Sequence, residues 1–283
     1  MEAERAARTA VGGGRLAAAL AAARGRGRKI LIPYVMLGDP DLATSVEVAA
    51  AMAATGADAL ELGLPFSDPM ADGPVIQAAG QRALAGGLRV PQALEAARHL
   101  RARVDCPLAL MTYVNPIVVQ GAERFAARAG DAGLDALVVP DVPLEESAVL
   151  GEACRGHGLD LVLFVAPTST DERIQAVARA ASGFVYCVSV AGITGERLDT
   201  LARVPETVAR VRAHTDLPLL VGFGINGPQK AIGASRVADG VIVASWIVQA
   251  VADLGPSASG AERASRAAQM VTSLREALDR TSF

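Results

Sequence analysis

The sequence predicts a single (β/α)8 barrel, also called a TIM barrel, with extra short helices, and three observations support this prediction. Eight short runs rich in Val, Ile and Leu recur along the 283 residues, and longer segments separate them. Most of these runs are apolar on successive residues, which is typical of parallel strands covered by helices. Three segments, TGADALELG, AGLDALVVP and HGLDLVLFV, share one order of helix end, glycine, aspartate and strand.

Each apolar run is a predicted strand. The intervening segments have apolar residues at three- and four-residue spacing, which predicts amphipathic helices. A doubly wound open sheet is the alternative, but that fold usually has a GxGxxG motif after its first strand, where this sequence has none. The predicted strands cover residues 30–35, 59–62, 107–112, 136–139, 161–165, 183–188, 218–222 and 240–244, and the predicted helices cover residues 42–55, 90–103, 122–132, 145–157, 171–181, 206–214 and 261–279.

Composition limits the classes of function that the chain can have. Apolar residues make up 51% of it and the formal net charge is −3, so we expect a large core and no binding to nucleic acid. Three scattered cysteines, and the lack of a secretory leader or a membrane-spanning segment, predict a cytoplasmic protein without contact to a membrane. We expect residues 1–14 to form a flexible extension and residues 15–283 to form the barrel domain.

Two connections are unusually long. One follows the second predicted strand, over about residues 63–90, and the other follows the sixth, over about residues 191–205. In a (β/α)8 barrel the loops that follow the strands build the active site. Both long loops are therefore expected on the catalytic face.

The second predicted strand contains a glutamate, Glu61, at the start of the segment ELGLPFSDPMADGP. Side chains alternate along a strand, so if Leu60 and Leu62 face the helices, Glu61 faces the barrel interior at its mouth. An unpaired ionised carboxylate is costly there. Glu61 either pairs with an arginine or has a raised pKa and exchanges protons near neutral pH. No basic residue ends any predicted strand, which favours the second interpretation.

Two further acids follow Glu61 in the loop. Asp68 precedes a proline, which predicts a turn. Asp72 precedes a Gly-Pro pair and, on local grounds alone, is predicted to cap a helix that begins at Val75.

Glycines in the later loops predict a phosphate site. The loops after the seventh and eighth strands of a barrel, beside a helix amino terminus, commonly bind phosphate through backbone N–H groups. Turn glycines without a ligand are the alternative interpretation. The residues concerned are Gly195, Gly224 and Ser245, with Thr194 beside the first of them.

Lysine and metal chemistry are not expected. Lys29 begins the first predicted strand, at the end away from the site, and Lys230 lies in a helix. The three histidines, His99, His157 and His214, lie on helices or at helix ends, so they do not form a metal site at the mouth of the barrel. We therefore expect no metal and no cofactor, and proton transfer by carboxylates remains.

Six segments, in the right order, resemble the tryptophan synthase alpha subunit family. The resemblance extends from about residue 15 to about residue 252, and together the six segments are highly specific. Three positions depart from the family pattern: Met36 stands where threonine is usual, Val190 where some members have arginine, and Ala244 where glycine is common. The segments are ALELGLPFSDPMADGPVIQ, IPYVMLGDPD, MTYVNP, VVPDVPLEES, YCVSVAGITG and VGFGI.

The resemblance implies a lyase of tryptophan biosynthesis on a (β/α)8 barrel. Such an enzyme cleaves indole-3-glycerol phosphate into indole and glyceraldehyde 3-phosphate, and it passes the indole to a beta subunit in a complex of two alpha and two beta subunits. A stand-alone lyase that releases indole, a silent member that only binds the beta subunit, and another phosphate-sugar enzyme on the same barrel are the alternatives.

The resemblance also implies roles for individual residues. Glu61 matches the general acid and base, and Asp72 matches the second catalytic carboxylate. Thr194 matches a threonine of the loop that closes over the substrate. The positions that match phosphate contacts are Gly195, Gly224 and Ser245 with the backbones of Phe223 and Ala244, and those that match the indole pocket or flank the acids are Tyr34, Ile76, Met111, Tyr113, Val138, Tyr186 and Phe223.

Overall fold

The structure, a computed structural model, describes residues 14–189 and 201–280. Eight parallel strands pair in chain order and close into a barrel, because the last strand pairs with the first. All eight predicted strands are confirmed, with ends that shift by at most two residues, and the open-sheet alternative is wrong. The strands are β1 (Ile30–Met36), β2 (Leu60–Gly63), β3 (Leu108–Met111), β4 (Ala136–Val138), β5 (Asp160–Val165), β6 (Val185–Val188), β7 (Leu219–Gly222) and β8 (Gly240–Val243).

Helices surround the barrel, and the predicted ones are confirmed with small shifts at their ends. Helices Pro74–Ala85 and Pro228–Ser235 were predicted without bounds, and three helices were not listed among the predictions. One precedes β1 within an alanine-rich segment, one follows β3 as the short apolar sequence VNPIVVQ, which has no polar face to give a helical period, and one follows β8. The helices are α1 (Arg15–Gly25), α2 (Leu42–Ala54), α3 (Pro74–Ala85), α4 (Val90–Arg101), α5 (Val114–Gln120), α6 (Ala122–Asp131), α7 (Ser147–Gly156), α8 (Asp171–Ala180), α9 (Val204–Arg212), α10 (Pro228–Ser235), α11 (Ser245–Ala252) and α12 (Gly260–Asp279).

Side chains join the strands in pairs at their amino ends. Among the three residues that precede each even-numbered strand, one has a side chain that accepts a hydrogen bond. The donor is a backbone N–H of the preceding odd-numbered strand. The donor–acceptor distances lie between 2.7 and 2.9 Å. These bonds satisfy backbone groups that no strand neighbour reaches. The pairs, acceptor first, are Asp58 with Leu31, Asp135 with Leu108, Ser182 with Leu161, and Asp239 with Leu219.

The repeated segments of the sequence use their glycines alike and their aspartates differently. Gly56, Gly133 and Gly158 all have positive φ, at 110°, 81° and 70°, as helix-ending glycines do. Asp135, like Asp58, accepts the hydrogen bond that joins two strands. Asp160 lies at the start of the odd-numbered strand β5, and its buried Oδ2 has no hydrogen-bond partner.

Two further observations concern membrane-spanning helices and the cysteines. Among the described residues, no helix is both long and apolar enough to cross a bilayer. Cys106, Cys154 and Cys187 are free thiols, and the last two are buried. Residues 1–13 of the predicted N-terminal extension lie outside the described residues.

Candidate active site

Glu61 lies inside the barrel, on β2, where it pairs in register with Tyr34 on β1. Only 4% of the residue is exposed. Burial, and then the nearby Asp72 carboxylate, raise the pKa of Glu61 to about 8. Within the described residues no basic side chain forms an ion pair with it, so the interpretation as half of an ion pair is not supported there. A carboxyl group in this state can both give and take a proton near neutral pH.

Asp72 is brought to the same site by the loop between β2 and α3. The prediction that it caps a helix is wrong, because α3 begins at Pro74 with Gly73 as its cap and no side chain makes a capping hydrogen bond. The Asp72 carboxylate instead faces the Tyr113 hydroxyl. Burial raises the pKa of Asp72 to about 6, and the facing hydroxyl, as a donor to the charged form, acts in the opposite direction.

The loop that carries Asp72 is held by its own hydrogen bonds. The Asp72 N–H donates to the Pro69 carbonyl at 3.1 Å, and the Gln77 amide donates to the Asp72 carbonyl at 2.9 Å. Asp68 is exposed, and its carbonyl accepts from the Met70 N–H, which fits the predicted turn. The loop therefore fixes Asp72 over the barrel mouth, with Asp68 on the outside.

Two tyrosines cross to glycines on neighbouring strands. A Cβ atom added at Gly63 on β2 would lie 1.9 Å from the Tyr34 hydroxyl oxygen, and one added at Gly222 on β7 would lie 2.0 Å from the Tyr186 hydroxyl oxygen. Both rings therefore need a glycine at the facing position. Charge on Glu61 and Asp72 raises the pKa of both tyrosines beyond the effect of burial, which places both hydroxyls near the acids.

Aromatic rings line the space around the acids. Tyr186 stacks on Phe164 with ring centres 4.6 Å apart and meets Phe223 edge-on at 5.8 Å. Tyr113 stacks on Phe66 at 5.2 Å. Phe66 and Phe164 were missed by the sequence analysis, although aromatic residues make up only 4% of the chain and their scarcity was a usable signal. The other predicted lining residues, Ile76, Met111 and Val138, are buried in α3 and at the ends of β3 and β4.

The predicted phosphate residues lie at the carboxyl ends of β7 and β8. Phe223 and Gly224 both have positive φ, at 67° and 68°, and the Ser189 hydroxyl donates to the Phe223 carbonyl at 2.7 Å. A non-glycine residue with positive φ is uncommon and marks functional sites. Ser189 holds this turn from the neighbouring strand β6, a role that sequence reasoning missed.

Ala244 is the amino cap of α11, and Ser245 is its first residue. The φ of Ala244 is −111°, so its backbone does not require the glycine that is common at this position in the family. Gly224 and Ser245 are both exposed, beside a helix amino terminus that favours an anion. Thr194 and Gly195 lie outside the described residues.

The different environments of Glu61 and Asp72 give these two acids different pKa values. Near neutral pH, Asp72 is mostly ionised and Glu61 is mostly protonated, so one is an anion and the other a proton donor. Aromatic rings suit a flat apolar group beside these acids, and the exposed turn at α11 suits an anionic group. The site is therefore built to transfer protons on a substrate with one aromatic end and one anionic end.

Comparisons with known proteins agree with this description. Residues 20–279 match the family model described as "Tryptophan synthase alpha chain". The chain is 46% identical over 262 residues to the tryptophan synthase alpha chain of Roseiflexus sp. (strain RS-1), which covers 92% of this chain and 99% of that protein. It is 44% identical over 264 residues to that of Geobacter sulfurreducens, with 93% and 98% covered.

Solved structures have the same fold. Tryptophan synthase from M. tuberculosis in its aminoacrylate-bound form matches with a TM-score of 0.83 and 34% identity, and the match covers 94% of this chain and 100% of that one. The tryptophan synthase alpha chain from Legionella pneumophila matches with a TM-score of 0.85 and 32% identity, with 94% and 98% covered.

Proposed function

The chain belongs to the tryptophan synthase alpha chain family, and from this premise we propose that it is a lyase that cleaves indole-3-glycerol phosphate into indole and glyceraldehyde 3-phosphate. The observation that carries the proposal is the meeting of Glu61 and Asp72, two buried acids with pKa values of about 8 and about 6. They come from a strand and from the loop that follows it, and they face one aromatic-lined space.

Glu61 is the proton-transfer group in this proposal. Its carboxylic acid gives a proton to indole C3, which makes the ring a cation. The Glu61 carboxylate then takes the proton of the glycerol hydroxyl next to the bond between C3 and the glycerol chain. That bond breaks, its electrons return to the ring, and an aldehyde forms. Proton transfer of this kind contributes on the order of 10² to 10⁴ in rate.

Asp72 stabilises the positive ring. Its ionised carboxylate, placed beside the indole N–H, opposes the charge that develops when C3 is protonated. The turn at Phe223 and Gly224, with the amino end of α11 at Ser245, binds the phosphate and thereby places the bond that breaks. Activity then requires ionised Asp72 and protonated Glu61, so it rises as the pH passes about 6 and falls as it passes about 8.

The test of this function is indole release from indole-3-glycerol phosphate by the isolated chain, followed by product analysis. We expect both products in equal amounts, and we expect Glu61→Gln to abolish release while the protein stays folded. A chain that leaves this substrate intact under all conditions would refute the proposal. Full activity of Glu61→Gln would remove Glu61 from the mechanism.

We also propose a beta subunit as the partner of this chain. Met70, Val118 and Val119 are large apolar residues that are 75%, 66% and 79% exposed. Met70 lies in the loop after β2, and the two valines lie at the end of α5, which follows the neighbouring strand β3. The Tyr113 hydroxyl joins the two loops through the Ala71 N–H. Apolar residues on one rim of a protein surface support a protein partner there.

This partner is tested by mixing the chain with a tryptophan synthase beta subunit and measuring complex formation and indole release. We expect Val119→Asp to weaken the complex and to leave the indole release of the isolated chain unchanged. Val237→Asp is the matched control, because Val237 is 40% exposed but lies just before β8, at the opposite end of the barrel. A beta subunit that neither binds nor alters the rate would favour the stand-alone lyase. The free thiols support our inference that the protein works in the reducing cytoplasm.

A further inference from the structure

Among the residues that the structure describes, the buried hydroxyl group of Tyr34 has only a weak acceptor. The residue is 3% exposed, and its hydroxyl donates to the Met36 sulfur at 3.8 Å. A thioether sulfur is only a weak acceptor. Burial, and then the charges of Asp72 and Glu61, raise the pKa of Tyr34, so the hydroxyl keeps its proton and remains a donor at every pH at which the enzyme works.

Glu61, by contrast, needs a hydrogen-bond donor when it is ionised. Within the described residues, no group donates a hydrogen bond to its carboxyl group. Asp72 differs, because the Tyr113 hydroxyl faces it and favours its ionised form. When Glu61 gives up its proton, a buried carboxylate is left without a donor, which is costly in an apolar site. A free donor and an acceptor in need of one therefore lie in the same site.

The strand pairing brings these two groups together. Tyr34 and Glu61 are partners in the register of β1 and β2. The Tyr34 ring extends to Gly63, which projects from the same face of β2 as Glu61. The charge of Glu61 raises the pKa of the Tyr34 hydroxyl, which agrees with the two groups lying near each other in the barrel interior. In the described part of the chain, the other titratable groups that face Glu61 are Asp72, from the loop before α3, and Tyr186, from β6.

We propose that Tyr34 is a positioning residue for proton transfer: its hydroxyl rests on the Met36 sulfur while Glu61 is protonated, and it turns to the Glu61 carboxylate once Glu61 has given its proton to the substrate. This inference rests on the proposed function. The weak acceptor at position 36 is part of the device, because a strong acceptor would hold the hydroxyl in its resting position. Met36 is also one of the departures from the family pattern.

The experiment measures indole release against pH for Tyr34→Phe, Met36→Leu and the double variant. In Tyr34→Phe the Glu61 anion loses its donor, so the alkaline limb moves to higher pH. At neutral pH, kcat falls about tenfold with little change in KM, as for a lost hydrogen bond to a charged group. In Met36→Leu the hydroxyl loses its resting acceptor and stays with Glu61, so the alkaline limb moves to lower pH. The double variant behaves like Tyr34→Phe.

Opposite shifts from these two single variants are not expected of a residue that only fills space. The proposal is overturned if Tyr34→Phe leaves the alkaline limb in place, if only the acid limb of Asp72 moves, or if Met36→Leu shifts the profile in the same direction as Tyr34→Phe.

A second measurement separates this inference from the proposed function. The pKa of Glu61 is followed by carboxyl-carbon NMR of isotopically labelled glutamate, with the Glu61 signal assigned by its loss in Glu61→Gln. A Glu61 pKa that is higher in Tyr34→Phe than in the wild-type protein, with no indole release by the wild-type protein, would refute the function and support the hydrogen bond. Indole release with the same Glu61 pKa in both proteins would support the function and refute the hydrogen bond.

Discussion

The Tyr113 hydroxyl accepts a hydrogen bond from the Ala71 N–H at 3.1 Å and faces the carboxylate of the next residue, Asp72. One hydroxyl thus joins the loop after β3 to the loop after β2. Its ring stacks on Phe66 of that second loop. Because a facing hydroxyl donor favours the ionised carboxylate, Tyr113 lowers the pKa of Asp72, which burial alone would raise further than its value of about 6.

Tyr113→Phe is expected to raise the pKa of Asp72. Phenylalanine keeps the stacking on Phe66 and removes only the hydroxyl. The acid limb of the pH profile of indole release should therefore move to higher pH. The loss in the rate of indole release should be greatest below neutral pH. Tyr186→Phe is the control, because it removes a buried hydroxyl that does not bond to Asp72, and its acid limb should stay in place. An unchanged acid limb in Tyr113→Phe would show that the hydroxyl does not set the Asp72 pKa.

Gly222→Ala is expected to displace Tyr186. The new Cβ would lie 2.0 Å from the tyrosine oxygen and 2.3 Å from its Cζ, so the ring must move. We expect a loss of about 1 to 3 kcal/mol in the free energy of unfolding, as for an overpacked core, with at least a tenfold loss of indole release.

Two further variants test the reason for this effect. Gly233→Ala is the control, because its nearest neighbour is Leu201 at 3.6 Å, an ordinary contact. Urea unfolding should show little change in the free energy of unfolding of Gly233→Ala. Tyr186→Leu should recover part of the stability in the Gly222→Ala background, and a double variant no more stable than Gly222→Ala would contradict the steric cause.

Glu61→Gln is expected to change how stability depends on pH. The pKa of Glu61 is about 8 in the folded protein and 4.5 for an unperturbed glutamate, so between these values the folded protein holds a proton that the unfolded chain has released. The folded state therefore loses stability as the pH rises through this range, by an amount on the order of 3 kcal/mol at pH 7.

Glutamine removes this dependence and keeps the shape of the side chain. Urea unfolding at several pH values should show that the free energy of unfolding of Glu61→Gln increases relative to that of the wild-type protein as the pH rises from 5 to 8. Parallel curves for the two proteins would mean that Glu61 is not buried in its neutral form.

Asp135→Ala is expected to weaken the amino end of the barrel. It removes the acceptor of the Leu108 N–H, which lies at 2.8 Å, and leaves that backbone group without a partner. The cost should be about 1 to 3 kcal/mol of unfolding free energy, with indole release unchanged at temperatures where the protein is folded. Asp131→Ala is the control, because Asp131 is an exposed acid at the end of α6. Equal stability of the two variants would contradict the structural role of Asp135.

The strands and most helices were predictable because they depend on short-range patterns. Successive apolar residues in β5, for example, indicate a strand buried on both faces whatever the rest of the chain does. Helix α5 was missed because its seven residues carry no polar face, and it is helical through its place between β3 and α6. Phe164 and Ser189 were missed for a related reason, since their roles depend on a ring and a carbonyl that belong to other strands.

Glu61 and Asp72 show the difference between what the sequence determines and what the tertiary structure determines. The sequence by itself determined that Glu61 is a buried acid at the mouth of a barrel, because alternation along a strand is a local property of the backbone. The same local reasoning made Asp72 a helix cap. The resemblance to the family gave Asp72 a catalytic role, but only the tertiary structure shows why it is not a cap, because Tyr113, which faces it, comes from the next βα unit, 42 residues beyond Ala71. Contacts between loops that are distant in sequence appear only when the barrel closes, and it is those contacts that bring the two acids together.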